Sequence, residues 1–327
     1  MSASSSARAT QYYDSDFAFD ELSAAEAEYN ARVRDLFSSG EASDETRAAR
    51  AAAAAAQAAF RWNRFYRRNG AGAYKPRHFI VEAFPCLRDA RSVVDVGCGS
   101  GANVWPLLEK TRVARIAAVD VASAALEALA REPRGDAALR AGRVELYCWD
   151  FASDCAAPAA AARLGALRRA SSPPAAGAMS SAVALGPASS PPASAISHCP
   201  PHGGGFDAAL VTFTASAVHP RAHAALIARA AALLAPGGRL LFRDHGARDL
   251  AQLRAADASI LSASLNERGD GTLAYFFALQ EVRALLAGAG LRVEEARHAC
   301  VCNVNRKTGA AMRRVYVHAV ARKPPLA

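Results

Sequence analysis

The chain has 327 residues, of which 39 are Lys or Arg and 30 are Asp or Glu, so its formal net charge is +9 with histidine neutral. This length fits one large domain or two small ones, at roughly 100 to 200 residues per domain. No run of residues approaches the ~20 strongly apolar positions of a membrane-spanning helix, so we expect no membrane partner. The seven cysteines form no CxxC pair and the N-terminus has no apolar signal core, which predicts reduced thiols, no metal site and a cytoplasmic or nuclear protein.

The sequence predicts a helical N-terminal extension over residues 21–90. Residues 1–20 are expected to be disordered, and a helical pattern follows from residue 21, with a break at 38–40 and a second, alanine-rich helix over 44–68. The end of this helix interleaves Arg and Lys with Trp, Phe and Tyr. Such a face is suited to nucleic acid, although a basic helix face is often only solvated surface.

The next region predicts an α/β domain over residues 91–323. Three strands, each followed by a turn or a helix, are predicted at 92–96, 116–119 and 144–148, which favours a parallel sheet. Further strands are expected at 206–213 and 239–243, with helices near 220–234 and 280–289. The strands predicted at 291–301 and 314–321 are expected to form an antiparallel hairpin. Residues 156–205 interrupt this order with Pro-Pro pairs, Ser and Ala, and predict a low-complexity insertion too poor in large apolar residues to pack a core.

A glycine turn is the first motif with a chemical meaning. Residues 95–101 read Asp-Val-Gly-Cys-Gly-Ser-Gly between a strand and a helix, where glycines let the backbone approach a nucleotide. Asp120, at the end of the next strand, is placed to accept hydrogen bonds from both ribose hydroxyls. Because Ala102 is tolerated in the looser dinucleotide fingerprint, the spacing alone does not exclude NAD.

A wider pattern separates these possibilities. Asp95, Asp120 and Asp150 stand at three consecutive strand ends, a Pro-Gly-Gly turn precedes strand five, and a hairpin ends the domain. Together these features resemble the seven-stranded, Rossmann-like class I methyltransferases. The resemblance implies the sheet order 3-2-1-4-5-7-6 and the cofactor S-adenosylmethionine. The alternative is an α/β domain whose acids merely cap helices.

Two methylation chemistries are not favoured. The segment 213–220 lacks the Asn/Asp-Pro-Pro-aromatic run that is common in enzymes methylating exocyclic amines of bases. Cytosine C5 methylation needs a cysteine nucleophile, and the nearest cysteine, Cys199, lies in the insertion.

More specific blocks resemble the eukaryotic methyltransferase-like enzymes that form 3-methylcytidine in the tRNA anticodon loop. The matching blocks begin at residues 62, 74, 97, 216, 242, 270 and 303, and their order holds over 60–324 outside the insertion. The chain departs from the family at Tyr74-Lys75-Pro76-Arg77, where Phe-Lys-Asp-Arg is usual, at His245, where Tyr is usual, and at Leu273, where Arg is usual. We expect the change at Leu273 to remove a cation from the substrate face.

The resemblance implies that the extension over 21–90 has a segment that would cover the substrate and the cofactor, and it also implies a set of cofactor residues. Trp62 and Tyr66, at i and i+4, would fold over S-adenosylmethionine, although such a pair is more often core. The other cofactor residues are Gly97, Asp120, Asp150, Phe151 and Thr212.

The catalytic residues are expected just past strand five. Asp244 would stabilise the positive charge that develops on the cytidine ring, with Arg243 and His245 beside it. The alternative for Asp244 is capping or pairing with Arg243.

The predicted substrate is tRNA, at cytidine 32 of the anticodon stem-loop, with an aminoacyl-tRNA synthetase or another adaptor as a candidate partner, as in the family. Candidate tRNA contacts are Arg64, Arg67, Arg68, Lys75, Arg77, His78, Arg306, Lys307, Arg313 and Arg314. Two alternatives are a class I methyltransferase acting on a protein or small molecule, and a non-catalytic RNA-binding partner subunit.

Overall fold

Eleven strands can be followed along the chain in a computed structural model that describes residues 14–39, 43–153, 196–197, 205–304 and 308–325. They are β1 (Ser92–Val96), β2 (Arg115–Asp120), β3 (Val144–Cys148), β4 (Ile196–Ser197), β5 (Phe206–Thr212), β6 (Leu234–His245), β7 (Ile260–Ser262), β8 (Leu265–Glu267), β9 (Leu273–Tyr275), β10 (Arg292–Val304) and β11 (Ala311–Arg322). Eight of them form one sheet in the order β10-β11-β6-β5-β1-β2-β3-β4.

The predicted sheet order is confirmed. Strands β3, β2, β1, β5 and β6 are parallel, β11 pairs antiparallel with β6, and β10 pairs antiparallel with β11. This is the order 3-2-1-4-5-7-6, extended by the short strand β4 beyond β3. The insertion therefore contributes one edge strand, which its composition did not predict. The rest of 156–205, apart from Gly205, lies outside the described residues.

Helices cover both faces of the sheet because its central strands are apolar on both sides. One face packs against α5 (Val104–Lys110), α6 (Ser123–Arg131) and α7 (Pro133–Arg140), around a buried layer that includes Phe84 and Leu107. The other face packs against α8 (His223–Ala232) and α10 (Leu279–Gly288), around Phe206, Phe242 and Phe277. The carboxyl ends of β1, β2 and β5 are left open between these layers.

The N-terminal extension contains α1 (Ser23–Ser38), α2 (Asp44–Ala56) and α3 (Ala58–Asn69). The Ser43 hydroxyl caps α2 by accepting the Thr46 N–H at 3.1 Å. The single helix predicted over 44–68 is wrong in detail, because the chain leaves helical geometry at Gln57, where α2 ends and α3 begins. Two one-turn helices, α4 (Ile80–Ala83) and α9 (Leu250–Leu253), complete the set.

A small antiparallel sheet was not predicted. Strands β7, β8 and β9 pair in that order, and their apolar side chains Leu261, Leu265 and Leu273 pack against Ala51 and Ala54 of α2. The alanines let helix and sheet approach closely. The three strands have only three residues each, too few for a clear alternation in the sequence.

The first described residues differ from the predicted disorder over 1–20. Ser15 bridges to Cys300 on β10, and the Asp16 carboxylate accepts the Cys302 N–H at 2.7 Å. The Phe19 ring stacks on His298 with centroids 3.6 Å apart. Residues 14–20 are therefore attached to the hairpin, whereas 1–13 lie outside the described residues.

Candidate functional site

A cavity of about 680 Å³ opens at the carboxyl ends of β1, β2 and β5, under helix α3. Ligands of parallel α/β sheets bind in this position, because loops that leave neighbouring strands diverge there. The lining residues form two sets, which we call the two sides of the cavity: the glycine turn with Asp120, and a group of aromatic and cationic side chains.

The glycine turn brings backbone to the cavity wall. Gly97 has φ +71°, and a Cβ added there would lie 2.3 Å from the Thr214 Oγ1. The Thr214 hydroxyl is fixed because it donates to the Val96 carbonyl at 2.8 Å. Any side chain at position 97 would therefore have to displace a hydrogen-bonded neighbour.

Asp120 is tied to the same turn. Its Oδ2 accepts the Gly99 N–H at 2.8 Å, and its Oδ1 accepts the Ala122 N–H at 2.9 Å. Burial raises the pKa of Asp120 to about 6, against these backbone hydrogen bonds, which lower it. The carboxylate lines the cavity, and each oxygen has a second lone pair for a ligand hydroxyl.

A polar network lies behind the turn. The Asn103 amide donates to Asp95 Oδ1 at 2.9 Å and to Thr212 Oγ1 at 2.7 Å, and Arg77 donates to Asn103 Oδ1 at 3.2 Å. Burial raises the pKa of Asp95 to about 6. Thr212 does not line the cavity, so its side chain supports Asn103 and Arg77 instead of forming the wall.

The aromatic cover over the turn is formed by α3. Trp62 and Tyr66 both line the cavity, with ring centroids 6.1 Å apart, so the i, i+4 pair shares one face as expected. Asn63, between them, accepts the Ala124 N–H at 2.9 Å and so joins α3 to the start of α6. This hydrogen bond fixes the distance between the rings of Trp62 and Tyr66 and the glycine turn.

Asp150 and Phe151 also line the cavity, together with Trp149. The Asp150 Oδ1 accepts the Ala152 N–H at 2.7 Å, and the rings of Trp149 and Phe151 lie 4.5 Å apart. Trp149 was not among the predicted site residues, although it directly precedes Asp150.

The second side of the cavity is aromatic and cationic. Phe213, in a left-handed conformation with φ +57°, directs its ring at Tyr316, 5.3 Å away, and under the Arg77 guanidinium, 4.7 Å away. A non-glycine residue in this conformation costs about 1–3 kcal/mol. His245 and Arg314 complete this side, with the His245 Nδ1 3.4 Å from the Arg314 Nη2.

His245 is held neutral in this wall. Burial lowers its pKa well below the usual range, and the charges of Arg268, Arg314 and Arg77 lower it further. Arg268 was not predicted from the sequence. It lines the cavity and donates to the Leu273 carbonyl.

The other two residues of the predicted catalytic group do not reach the cavity. Asp244 is fully buried, and its oxygens accept the Ser216 N–H at 3.0 Å and the His245 N–H at 2.8 Å. Arg243 is buried between the rings of Phe79 and Tyr316. Because strand side chains alternate between faces, neighbours on β6 cannot all point at one ligand.

The family model described as Methyltransferase domain matches residues 65–296, more than half of the chain. The chain belongs to this methyltransferase family. Its methyl donor is S-adenosylmethionine, and the residues present fit that group: Gly97 leaves room that a Cβ would fill, and Asp120 offers acceptors beside it.

Several relatives of this methyltransferase have names that describe methylation of tRNA. The chain is 27% identical over 271 residues to mouse tRNA N(3)-cytidine methyltransferase METTL6, covering 81% of this chain and 80% of that protein. It is 27% identical over 276 residues to tRNA N(3)-methylcytidine methyltransferase Mettl2 of Drosophila melanogaster, covering 80% and 70%. It is 29% identical over 231 residues to tRNA N(3)-methylcytidine methyltransferase trm140 of Schizosaccharomyces pombe, covering 68% and 60%. A solved methyltransferase from Anabaena variabilis is 12% identical, with a TM-score of 0.49, over 81% of this chain and 94% of that chain.

The predicted tRNA residues of the methyltransferase fall into four groups. Exposed ones near the cavity rim are Arg64, Arg67, Arg68, Lys75 and His78. Arg77 and Arg314 lie inside the cavity, and Arg313 is exposed but paired with Glu21 at 3.2 Å. Arg306 and Lys307 lie outside the described residues.

The expected loss of a substrate-face cation at Leu273 is wrong. Leu273 is 2% exposed and packs with Leu261 and Leu265 in the small sheet. Its side chain belongs to a core, and the cation on this side of the cavity is Arg268. Across the parts of the chain that the structure describes, no helix is both long and apolar enough to cross a membrane.

Proposed function

We propose that this methyltransferase methylates N3 of a cytidine in the tRNA anticodon loop, position 32, to give 3-methylcytidine. The observation that carries the proposal is the aromatic and cationic side of the cavity, where the rings of Phe213 and Tyr316 lie 5.3 Å apart and Arg268 and Arg314 also line the cavity. Aromatic faces stack on an extruded base, and guanidinium groups bind its phosphates and carbonyl oxygen. The similarity to proteins named as tRNA N3-cytidine methyltransferases supports the choice of base.

The cofactor side would hold S-adenosylmethionine through separate contacts. Asp120 would accept the ribose hydroxyls, Asp150 and Phe151 would face the adenine, and Trp62 and Tyr66 would cover the ligand. Gly97 would let the backbone approach it. Arg77, beside Asn103 at the turn, would bind the carboxylate of the amino-acid portion. When bound, the cofactor supplies an electrophilic methyl group.

The residues on the substrate side would orient the base. Cytidine N3 carries an in-plane lone pair and no proton at neutral pH, so no general base has to remove one before methyl transfer. Positioning and exclusion of water then provide most of the catalysis. A neutral His245 can hydrogen-bond the target nucleotide without adding a positive charge near the ring that becomes cationic.

Asp244 would act as a positioning residue. Its carboxylate fixes Ser216 and the backbone of His245, and therefore the wall against which the base packs. Arg243 would support the same wall through the Tyr316 ring, 5.0 Å from its guanidinium carbon.

The tRNA backbone would cross the basic rim. Arg64, Arg67, Arg68, Lys75, His78 and Arg313, together with Arg306 and Lys307, are the candidate phosphate contacts. Each neutralised phosphate should change the log-log salt slope of binding by about one unit. An aminoacyl-tRNA synthetase or another adaptor would extend this surface in the cell.

The direct test measures transfer of labelled methyl groups from S-adenosylmethionine to purified total tRNA, followed by nucleoside mass spectrometry. We expect 3-methylcytidine with the wild type and with Asp136→Asn, an exposed site on α7, and little product with Asp120→Asn. The same acid-to-amide change is thus made inside and outside the cavity. Cofactor binding without methylation of any tRNA base, even with a synthetase added, would contradict the proposal and redirect the search to proteins or small molecules.

A second variant tests the aromatic wall. Phe213→Leu removes a stacking surface, and we expect kcat/KM for tRNA to fall about tenfold while cofactor affinity changes little, since base stacking is worth about 1–3 kcal/mol. Phe60→Leu is the matched control, because Phe60 is 63% exposed on α3 and lies outside the cavity lining. Equal activity of the two variants would exclude Phe213 from base binding.

A further inference from the structure

Arg268 enters the cavity without an acidic partner. Its guanidinium is held by neutral oxygens, the Thr272 hydroxyl at 3.4 Å and the Leu273 carbonyl. Within the described ranges, no carboxylate lies within 4.0 Å of it, because the adjacent Glu267 is engaged by Arg50 and Arg61, each at 2.9 Å. The arginine is thus oriented by neutral groups, and Asp270 and Asp244 act on its charge from beyond ion-pair distance.

Arg314 faces the same space with part of its hydrogen-bonding capacity in use. Its Nε donates to the buried Asp249 carboxylate at 2.8 Å, which fixes one edge of the guanidinium. Its Nη2 lies 3.4 Å from His245 Nδ1. If His245 Nδ1 accepts this hydrogen bond, the neutral imidazole carries its proton on Nε2 and presents a donor.

Three arginines that line a separate groove, in contrast, each form an ion pair. Arg248 pairs with Glu26 at 2.7 Å, Arg313 pairs with Glu21 at 3.2 Å, and Arg32 pairs with Asp257 at 3.4 Å. The charges of these three arginines are compensated by protein acids. In the cavity wall, among the described residues, the carboxylate within 4.0 Å of Arg268 or Arg314 is that of Asp249, and Asp270 and Asp244 act on Arg268 from farther away. Arginines with so little direct pairing attract an anionic ligand.

Two anionic groups, the cofactor carboxylate and a nucleotide phosphate, could bind in the cavity at different positions. Arg77 stands by the glycine turn, hydrogen-bonded to Asn103, where the cofactor carboxylate would lie. Arg268 follows β8, and Arg314 lies on β11 with its Nη2 3.4 Å from His245 Nδ1. A phosphate has the charge and the geometry for a guanidinium fork there.

We propose that Arg268, Arg314 and His245 form a phosphate subsite for the target nucleotide, distinct from the cofactor carboxylate. The subsite rests on the proposed function in that it places the phosphodiester of the extruded nucleotide on this wall, with its base toward Phe213. Arg268 donates two N–H hydrogen bonds to the phosphate, and Arg314 adds a second positive charge.

The test is calorimetric binding of cytidine 5′-monophosphate and of cytidine to the full chain saturated with S-adenosylhomocysteine. We expect the wild type to bind the monophosphate at least about tenfold more tightly than cytidine, the scale of one charged hydrogen-bonded contact. Arg268→Gln should remove this preference, and Arg268→Lys should restore part of it. Arg140→Gln, on α7 with a 76% exposed side chain, should retain the preference in full.

The outcomes separate the subsite from the activity. Equal binding of the two ligands by the wild type, or an unchanged preference in a folded Arg268→Gln protein, would overturn the subsite. An Arg268-dependent phosphate preference in a protein that methylates no tRNA would retain the subsite and reject the proposed function. Thermal melting of each variant controls for folding, since Arg268 also anchors Leu273.

Discussion

The two sides of the cavity are built by different means. On the cofactor side, Asp120 is fixed by the amides of Gly99 and Ala122, which lie in adjacent βα turns of the parallel sheet. On the substrate side, Arg314 meets Asp249 across 65 residues of chain, and residues near Arg268 pack against α2, more than 200 residues earlier. Short sequence motifs therefore position the residues of the cofactor side, whereas contacts between distant parts of the chain position those of the substrate side.

This contrast implies different sensitivities. Substitutions in the glycine turn should act on cofactor binding through backbone geometry, whereas substitutions near the small sheet should act through stability first. The following three predictions separate the two sides.

Leu273→Arg should give the largest effect. Although it restores the residue usual in the resembled family, it places an unpaired charge among Leu261, Leu265 and Ala51, and we expect a loss of about 4 kcal/mol in the free energy of unfolding. Leu273→Met should cost less than about 1.5 kcal/mol. Urea denaturation measures both. An arginine variant of unchanged stability that binds tRNA more tightly would show that position 273 faces the substrate.

Gly97→Ala should weaken cofactor binding by at least about 100-fold, or ~3 kcal/mol, because the new Cβ would meet Thr214. Gly142→Ala is matched to it: Gly142 also has positive φ, at +65°, but a Cβ added there would have nothing within 4 Å. Calorimetry with S-adenosylhomocysteine measures the binding. Similar affinities in the two variants would show that the contact between position 97 and Thr214 does not control cofactor binding.

Asp95→Asn should have a smaller, pH-dependent effect. Burial raises the pKa of Asp95 to about 6, above its unfolded value of about 3.9, so the folded state holds the proton more tightly. The stabilising contribution is present below about pH 4 and is lost as the pH rises through about 6. Relative to the wild type, the amide variant should therefore gain about 2 kcal/mol between about pH 4 and pH 7.5. Denaturation at both pH values tests this, with Asp136→Asn as the control; a pH-independent difference would contradict it.

The sequence predicted the cofactor side better than the substrate side for a physical reason. Strand ends, glycines and acids are adjacent in the chain, so Gly97 and Asp120 could be placed without knowing tertiary packing. Arg268 gave no comparable signal, because its position depends on three very short strands. Asp244 was expected at the substrate, yet the alternation of β6 side chains turned it inward while His245 reached the cavity.

The predicted ends of one strand and one helix were wrong where the local secondary-structure propensity was ambiguous. The strand expected at 239–243 extends to Leu234–His245, because the segment across the Pro-Gly-Gly turn still pairs with β5 through a register shift. The helix expected over 44–68 divides at Gln57, where the chain must follow both the small sheet and the cavity.

The position of β11 has a consequence for synthesis of the protein on the ribosome. This strand lies between β6 and β10, and supplies Tyr316 and Arg314. A nascent chain can emerge with β1, β2, β3, β5 and β6 complete while β6 is still an exposed edge. The complete cavity therefore forms only after β11 leaves the exit tunnel, and premature termination before residue 311 yields a chain with the glycine turn, Phe213 and Arg268 but without Arg314 and Tyr316.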